Sequence, residues 1–317
     1  MKAVILSGGE GTRLREVSGD CPKPMMPLLG KPLLERTVAL LRENGFTELC
    51  LTLHYRPEVI RQFLGDGERF GVRIEYRTKD EPLGTAGAVR NCRDFIGGDN
   101  VLVMSGDSAC DYDLSALFRS HTGGVTIALA VNAEPLPYGL VITDKAGRVT
   151  GFVEKPSWER VVTDHVSTGI YVLSPDALDY VPVGQQFDFA RDLFPQLLKE
   201  GVPIRGRIMD GYWCDIGTPR AYFQCNLDAL DGLYRLPGQT GTVKRVIPCR
   251  DRARLMRVMS ESLAEFGADL TDGLSLSSEN GIAHLAPLPD RAALSLDGDP
   301  AAVRAMEALV RRLEREY

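Results

Sequence analysis

The chain has 317 residues, 44% hydrophobic and 25% charged, which is ordinary globular composition and length enough for about two domains. Its 37 Lys and Arg against 43 Asp and Glu give a formal net charge of −6, which excludes a general basic surface for nucleic acid or an anionic membrane; any phosphate must be gripped locally. No apolar run approaches the roughly 18 residues of a membrane span, and the seven cysteines form no C-x-x-C, so they read as reduced thiols of a cytoplasmic protein.

From the start the chain alternates strand and helix: a strand at 3–6, a helix near 32–43, a strand at 49–53, a helix at 57–64 and a strand at 72–76. A helix near 86–93, a strand at 101–104, a helix near 114–120 and a strand at 125–131 continue the series. The expected fold class is α/β: a Rossmann-like, mostly parallel sheet with helices on both faces. Between 138 and 173 the rhythm changes to strands at 140–143, 149–154 and 168–173, an excursion expected to wall a substrate over the sheet. A helix near 189–199, a strand at 204–208 and a helix at 219–230 close the unit.

Residues 236–241, Leu-Pro-Gly-Gln-Thr-Gly, break regular structure and are assigned as a linker between domains at 1–235 and 242–317. The second reads as a small α+β domain with a strand at 242–247, a helix at 251–266, three short strands near 274–277, 282–286 and 292–296, and a helix from 301.

Chemistry concentrates after the first strand. Ser7-Gly8-Gly9-Glu10-Gly11-Thr12-Arg13-Leu14 lets backbone N–H groups close on a phosphate, with Arg13 able to fork onto its oxygens. It is neither a P-loop nor a dinucleotide fingerprint. Cys21-Pro22-Lys23-Pro24-Met25 fixes one lysine between prolines. Further on stand Glu81-Pro82-Leu83-Gly84-Thr85-Ala86-Gly87, Val103-Met104-Ser105-Gly106-Asp107, Phe152-Val153-Glu154-Lys155-Pro156, Ser167-Thr168-Gly169 and Trp213-Cys214-Asp215-Ile216-Gly217-Thr218-Pro219. The four histidines are scattered and receive no role. Trp158, close after the Glu154-Lys155-Pro156 motif, is weighed between flanking a bound ligand and packing.

Taken in this order, the motifs strongly resemble those of the sugar-1-phosphate nucleotidylyltransferase family, and its mannose-1-phosphate guanylyltransferases above all. The resemblance implies the nucleotidyltransferase fold, a nucleoside triphosphate and a sugar 1-phosphate as partners, and Mg²⁺ as cofactor. It implies catalytic roles for Arg13, Lys23, Asp107 and Asp215, with Asp107 and Asp215 as metal ligands. Leu6, Gly8, Gly9, Gly11, Thr12, Arg13, Glu81, Gly84, Thr85 and Gly106 would bind the nucleotide. Lys23, Gly139, Glu154, Lys155, Thr168 and Gly169 would bind the sugar phosphate. Nucleic acid and membrane are not expected partners, and homo-oligomerisation is left open. Glu16-Val17 and Ser167-Thr168 depart from the commoner family residues, the latter where the sugar is read. UTP or dTTP with a glucose-type sugar, GTP with a heptose, or a silent nucleotide-sugar sensor are the rivals; retained Arg13, Lys23, Asp107 and Asp215 argue against the sensor.

The C-terminal segment resembles the last domain of the phosphohexomutases, through Thr242-Val243-Lys244-Arg245, Leu270-Thr271-Asp272-Gly273 and 285–291. Pro289-Asp290-Arg291 lacks the hydroxyl and glycine donors of the mutase phosphate loop, and Asp299 before Pro300 reads as a helix cap. An assembly or regulatory role, without mutase activity, is the expectation.

Overall fold

The computed structural model describes residues 1–9, 11, 14, 19–78, 83–230, 232–238, 243–248, 274–278, 281–287 and 293–298. It runs β1 (Lys2–Ser7), a hairpin of β2 (Pro27–Leu28) and β3 (Lys31–Pro32), α1 (Leu33–Glu43), β4 (Glu48–Leu53), α2 (Pro57–Leu64) and β5 (Arg73–Thr78). There follow α3 (Gly84–Arg90), α4 (Arg93–Ile96), β6 (Val101–Ser105), β7 (Ser108–Cys110), α5 (Leu114–Arg119) and β8 (Val125–Val131). Then come β9 (Gly139–Thr143), β10 (Val149–Glu154), β11 (His165–Leu173), a π-helical turn (Phe189–Leu193) running into α6 (Phe194–Lys199), β12 (Ile204–Ile208), β13 (Trp213–Asp215) and α7 (Pro219–Leu230). The helix predicted at 86–93 is two helices, because the chain turns at Cys92, where φ is −99° and ψ is 14°.

Successive strand residues point to opposite faces, and both faces of this sheet are covered. Val4, Val103, Ile127 and Tyr171 enter the core on one side. Ile5, Met104, Ala128 and Ile170, one position away on each strand, enter the core on the other. A third cluster joins Leu14, Met26 and Leu33 to Ile216 and Tyr222, fastening α7 to the first loops. Fully burying each large apolar side chain stabilises the fold by roughly 1.5–3 kcal/mol.

The main sheet is ordered β10-β9-β11-β6-β1-β4-β5, with β8 branching from β11 and β12 paired to β8. Strands β6, β1, β4 and β5 are parallel, whereas β11 is antiparallel to β6, β8 and β9. The excursion at 138–173 thus joins the sheet edge to edge rather than lying over it, because β11 supplies hydrogen bonds to both β6 and β9. Ile170–Leu173 pair with β6, while Val166 pairs with Leu140 of β9. Between these pairings the register shifts and Gly169 takes φ +75°, so β11 forks the sheet. The fork lies beside the carboxyl end of β6, where open α/β sheets place ligands.

β14 (Val243–Pro248), β15 (Leu274–Ser278), β16 (Gly281–Pro287) and β17 (Ala293–Gly298) form an antiparallel sheet ordered β14-β17-β16-β15. The helices predicted at 251–266 and from 301, the loop at 289–291 and the Asp299 cap lie outside the described residues. Residues 236–238 of the predicted linker are packed, with Leu236 5% exposed and the Arg36 guanidinium donating to Pro237 O at 3.3 Å; residues 239–241 lie outside the described ones. Among the described residues no helix is long and apolar enough to cross a membrane.

Candidate active site

Three short pieces bring the charged residues together. Asp107 follows β6, at the turn into β7. Strand β13 pairs antiparallel with β7, setting Asp215 opposite Ser108. Lys23 opens a one-turn 3₁₀ helix, Lys23–Met25, in which Pro24 presets φ near the helical value. Its Nζ donates to Asp107 Oδ2 at 2.7 Å and to Asp215 Oδ1 at 2.8 Å. Lys23 is 7% exposed. Burial acts to lower its pKa, but the two carboxylates outweigh burial and hold the ammonium above its usual range. Burial likewise acts to raise Asp107; Lys23, joined by the Ser105 hydroxyl donating to Asp107 Oδ1, brings it below the usual carboxylate range. Gly11 packs against this lysine: it has φ +62°, and a Cβ on it would stand 3.1 Å from Lys23 Cβ. Buried Leu14, whose N–H donates to Gly11 O at 2.9 Å, anchors the loop's far side.

Two cavities meet at this cluster. One, of about 280 Å³, is walled by Tyr138, Gly139, Glu154, Gly169 and Trp213. The other, of about 360 Å³, is walled by Gly8, Gly9, His54, Gly84 and Asn91. Leu6, Thr85, Ser105, Asp107 and Asp188 line both, so Asp107 stands where a group in one cavity faces a group in the other.

Most of the expected binding residues gather here, with differences. Leu6, Gly8, Gly9, Gly84 and Thr85 line the larger cavity. Thr85 Oγ1 donates to Asp188 Oδ2 at 2.8 Å and accepts the Phe189 N–H at 3.0 Å, so its hydroxyl is committed within the protein. Gly106 donates its N–H to Leu6 O at 2.8 Å, a backbone tie between β1 and the end of β6. Thr12, Arg13 and Glu81 lie outside the described residues. On the smaller cavity's wall, Glu154 reaches across Gly139, where a Cβ would stand 2.8 Å from its Oε2. Thr168 lines the cavity with both groups bonded within the protein: its Oγ1 donates to Ala128 O at 2.8 Å and its carbonyl accepts the Trp213 indole N–H at 3.1 Å. Lys155 is exposed with φ +43° and does not line either cavity as described. Trp158 is 62% exposed, which removes the packing role weighed for it.

Sequence reasoning missed several wall residues. Trp213 meets Tyr138 edge to face at 5.1 Å between ring centres. Tyr171, whose phenol burial pushes up to about 12, keeps its proton beside Ser167 Oγ at 3.3 Å. Asp188 caps the 189–199 helical segment, accepting the Ala190 N–H at 3.0 Å, and an aspartate before that helix was its only sequence signal. Thr218 caps α7 as its position suggests, accepting the Ala221 N–H at 3.2 Å.

A glycine turn after β1, a charged triad and two adjoining cavities thus meet at one sheet edge. The model of the nucleotidyl transferase family matches residues 2–232, and the chain belongs to that family. It is 36% identical to a UTP–glucose-1-phosphate uridylyltransferase of Synechocystis sp., over 71% of this chain and 62% of that protein. It is 35% identical to the mannose-1-phosphate guanylyltransferase of Mycobacterium tuberculosis, over 75% of this chain and 67% of that one. The chain thus spans about two thirds of the length of these curated relatives. Among solved structures, HddC from Yersinia pseudotuberculosis complexed with GMP-PN superposes with a TM-score of 0.63 at 30% identity, over 72% of this chain and 99% of that one.

Proposed function

We propose that this chain is a cytoplasmic sugar-1-phosphate nucleotidylyltransferase and that it joins GTP to mannose 1-phosphate. The observation that carries the reading is the Lys23 ammonium bonded to both Asp107 and Asp215 where two cavities meet. A phosphate oxygen of the sugar 1-phosphate attacks the α-phosphorus of the triphosphate in line; the bond to the bridging oxygen breaks and pyrophosphate leaves. The chain's work is positioning and charge neutralisation. Lys23 offsets charge developing on the reacting phosphate, Gly8, Gly9 and Gly11 let backbone close on the triphosphate, and Glu154 orients sugar hydroxyls. Arg13 is assigned to the outer phosphates.

Asp107 and Asp215 fit a hard divalent ion, since both present carboxylate oxygens, 30% and 27% exposed, converging on one positive charge. Mg²⁺ held there would neutralise triphosphate charge. Similarity to the mycobacterial guanylyltransferase and to the GMP-PN complex supports GTP, while similarity to the cyanobacterial uridylyltransferase keeps UTP with glucose 1-phosphate as the second reading.

Pyrophosphate release across GTP, UTP, dTTP, ATP and CTP, each with mannose, glucose and N-acetylglucosamine 1-phosphates, tests this. Turnover confined to GTP with mannose 1-phosphate is expected, and another pair would replace the named substrates. Asp107→Asn and Asp215→Asn should each lose on the order of 100-fold in kcat while the fold survives; near-normal rates would sink the metal assignment.

A further inference from the structure

The segment after α7, residues 232–238, returns across the back of the active-site ribbon. Tyr234 is 2% exposed and its ring stacks on Tyr212 at 4.8 Å and 20°. Tyr212 immediately precedes β13, and its hydroxyl donates to Asp228 of α7 at 2.7 Å. A single carboxylate ties ribbon and segment together: Asp111 Oδ1 accepts the Tyr212 N–H at 2.7 Å, and Asp111 Oδ2 accepts the Arg235 N–H at 2.9 Å. Gly211, with φ +117°, makes room for that carboxylate, since a Cβ there would stand 2.6 Å from Asp111 Oδ1. The outer end is fastened to α1. Glu43 pairs with Arg235 at 3.1 Å and accepts the Gly238 N–H at 2.7 Å.

The ribbon needs such support. It has only three residue pairs, Trp213 with Cys110, Cys214 with Ala109 and Asp215 with Ser108, and an isolated two-stranded ribbon is marginal in water. We propose that residues 232–238 are a positioning strap that holds β13, and with it Asp215, within reach of Lys23. The strap touches no reacting atom; it acts by fixing the carboxylate's place, and a displacement of about 1 Å at a reacting centre is enough to cost up to about a hundredfold in rate. The proposal rests on the nucleotidylyltransferase reading for its effect on turnover.

Two variants loosen the strap in the full-length chain: Tyr234→Leu from its buried side, and Glu43→Ala from the surface of α1, where no core packing is lost. Tyr234→Phe keeps the stacked ring and serves as the control. Hydrogen exchange at residues 213–215 and 232–238 is measured together with kcat and KM for both substrates and the Mg²⁺ concentration giving half-maximal rate. In both loosened variants ribbon amides should exchange about tenfold faster, kcat should fall about tenfold and the Mg²⁺ requirement should rise, with substrate KM nearly constant. Protection in β1 and β4 should be unchanged and Tyr234→Phe should match the wild type. Faster exchange in the strap without change in ribbon or kcat overturns the proposal, as does a loss of protection spread evenly through β1 and β4. Wild-type protein without turnover defeats the enzymatic reading instead, and the exchange data alone then decide whether the strap holds the ribbon.

Discussion

Lys23 and Asp107 stay charged over the whole neutral range. Asp107, held below its ordinary value, contributes stability above the unfolded pKa of about 3.9 and loses it as pH falls through the folded value. Lys23, held above its ordinary value, contributes below about 10.4 and loses the contribution as pH rises through the folded value. A pH dependence near 6 must therefore come from elsewhere, and His121 is placed to supply it. Its Nδ1 and Nε2 lie 2.9 Å from Thr126 Oγ1 and 2.9 Å from Ser174 Oγ, and burial keeps its pKa below the ordinary value. The unfolded chain takes a proton on this ring first, near pH 6.5, so the stabilisation present above that pH is lost as pH falls. Urea midpoints should drop between about pH 7.5 and 5.5, and His121→Gln should flatten that drop; an unchanged slope removes His121 as the source. Lys23, Asp107 and Asp215 are legible in the sequence because each stands in a short motif rich in glycine or proline. The roles of Asp188 and Asp111 are not, since their partners Thr85 and Arg235 lie 103 and 124 positions away.

The strands that build the sheet are readable from their apolar runs, and β8, β10, β12, α2 and α7 fall where the pattern puts them. Strands β7 and β13 are not readable, since three residues carry no periodicity, yet they bring Asp215 to Asp107. The junction of β1 and β6 offers a test at this scale. Gly106 follows β6, and a Cβ on it would collide with Ser7 Oγ, a buried hydroxyl without a hydrogen-bond partner among the described residues. Gly106→Ala should therefore destabilise by about 1–3 kcal/mol through overpacking. Ser7→Ala in the same chain should restore part of the loss, because it removes the colliding atom. A double-mutant cycle from denaturant unfolding measures this, and strict additivity would show that the two positions do not crowd each other.

For the molecule as a whole, both the nine-strand and the four-strand sheets follow the predicted strands. What the sequence misplaces is the meaning of Pro237 and Gly238, which read as breakers but pack against α1, where a Cβ on Gly238 would stand 2.7 Å from Ala39 Cβ. Chain breakers and close-packing residues are the same residue types, and only the tertiary partner tells them apart. A chain ending after 238 keeps the strap and should retain kcat within about twofold, whereas one ending after 231 should lose about tenfold. Equal rates from the two truncations would show that residues 232–238 do not serve the reaction. The sheet's fork has a different bearing, on diversification. The arm made of β9 and β10 is paired to β11 only through Val166 and Leu140, below Gly169, while Asp107 hangs from β6 above it. Changes of sequence along the arm can remodel the wall of the smaller cavity while the end that carries Asp107 keeps its register, so one scaffold can reshape what it admits without moving its charged cluster.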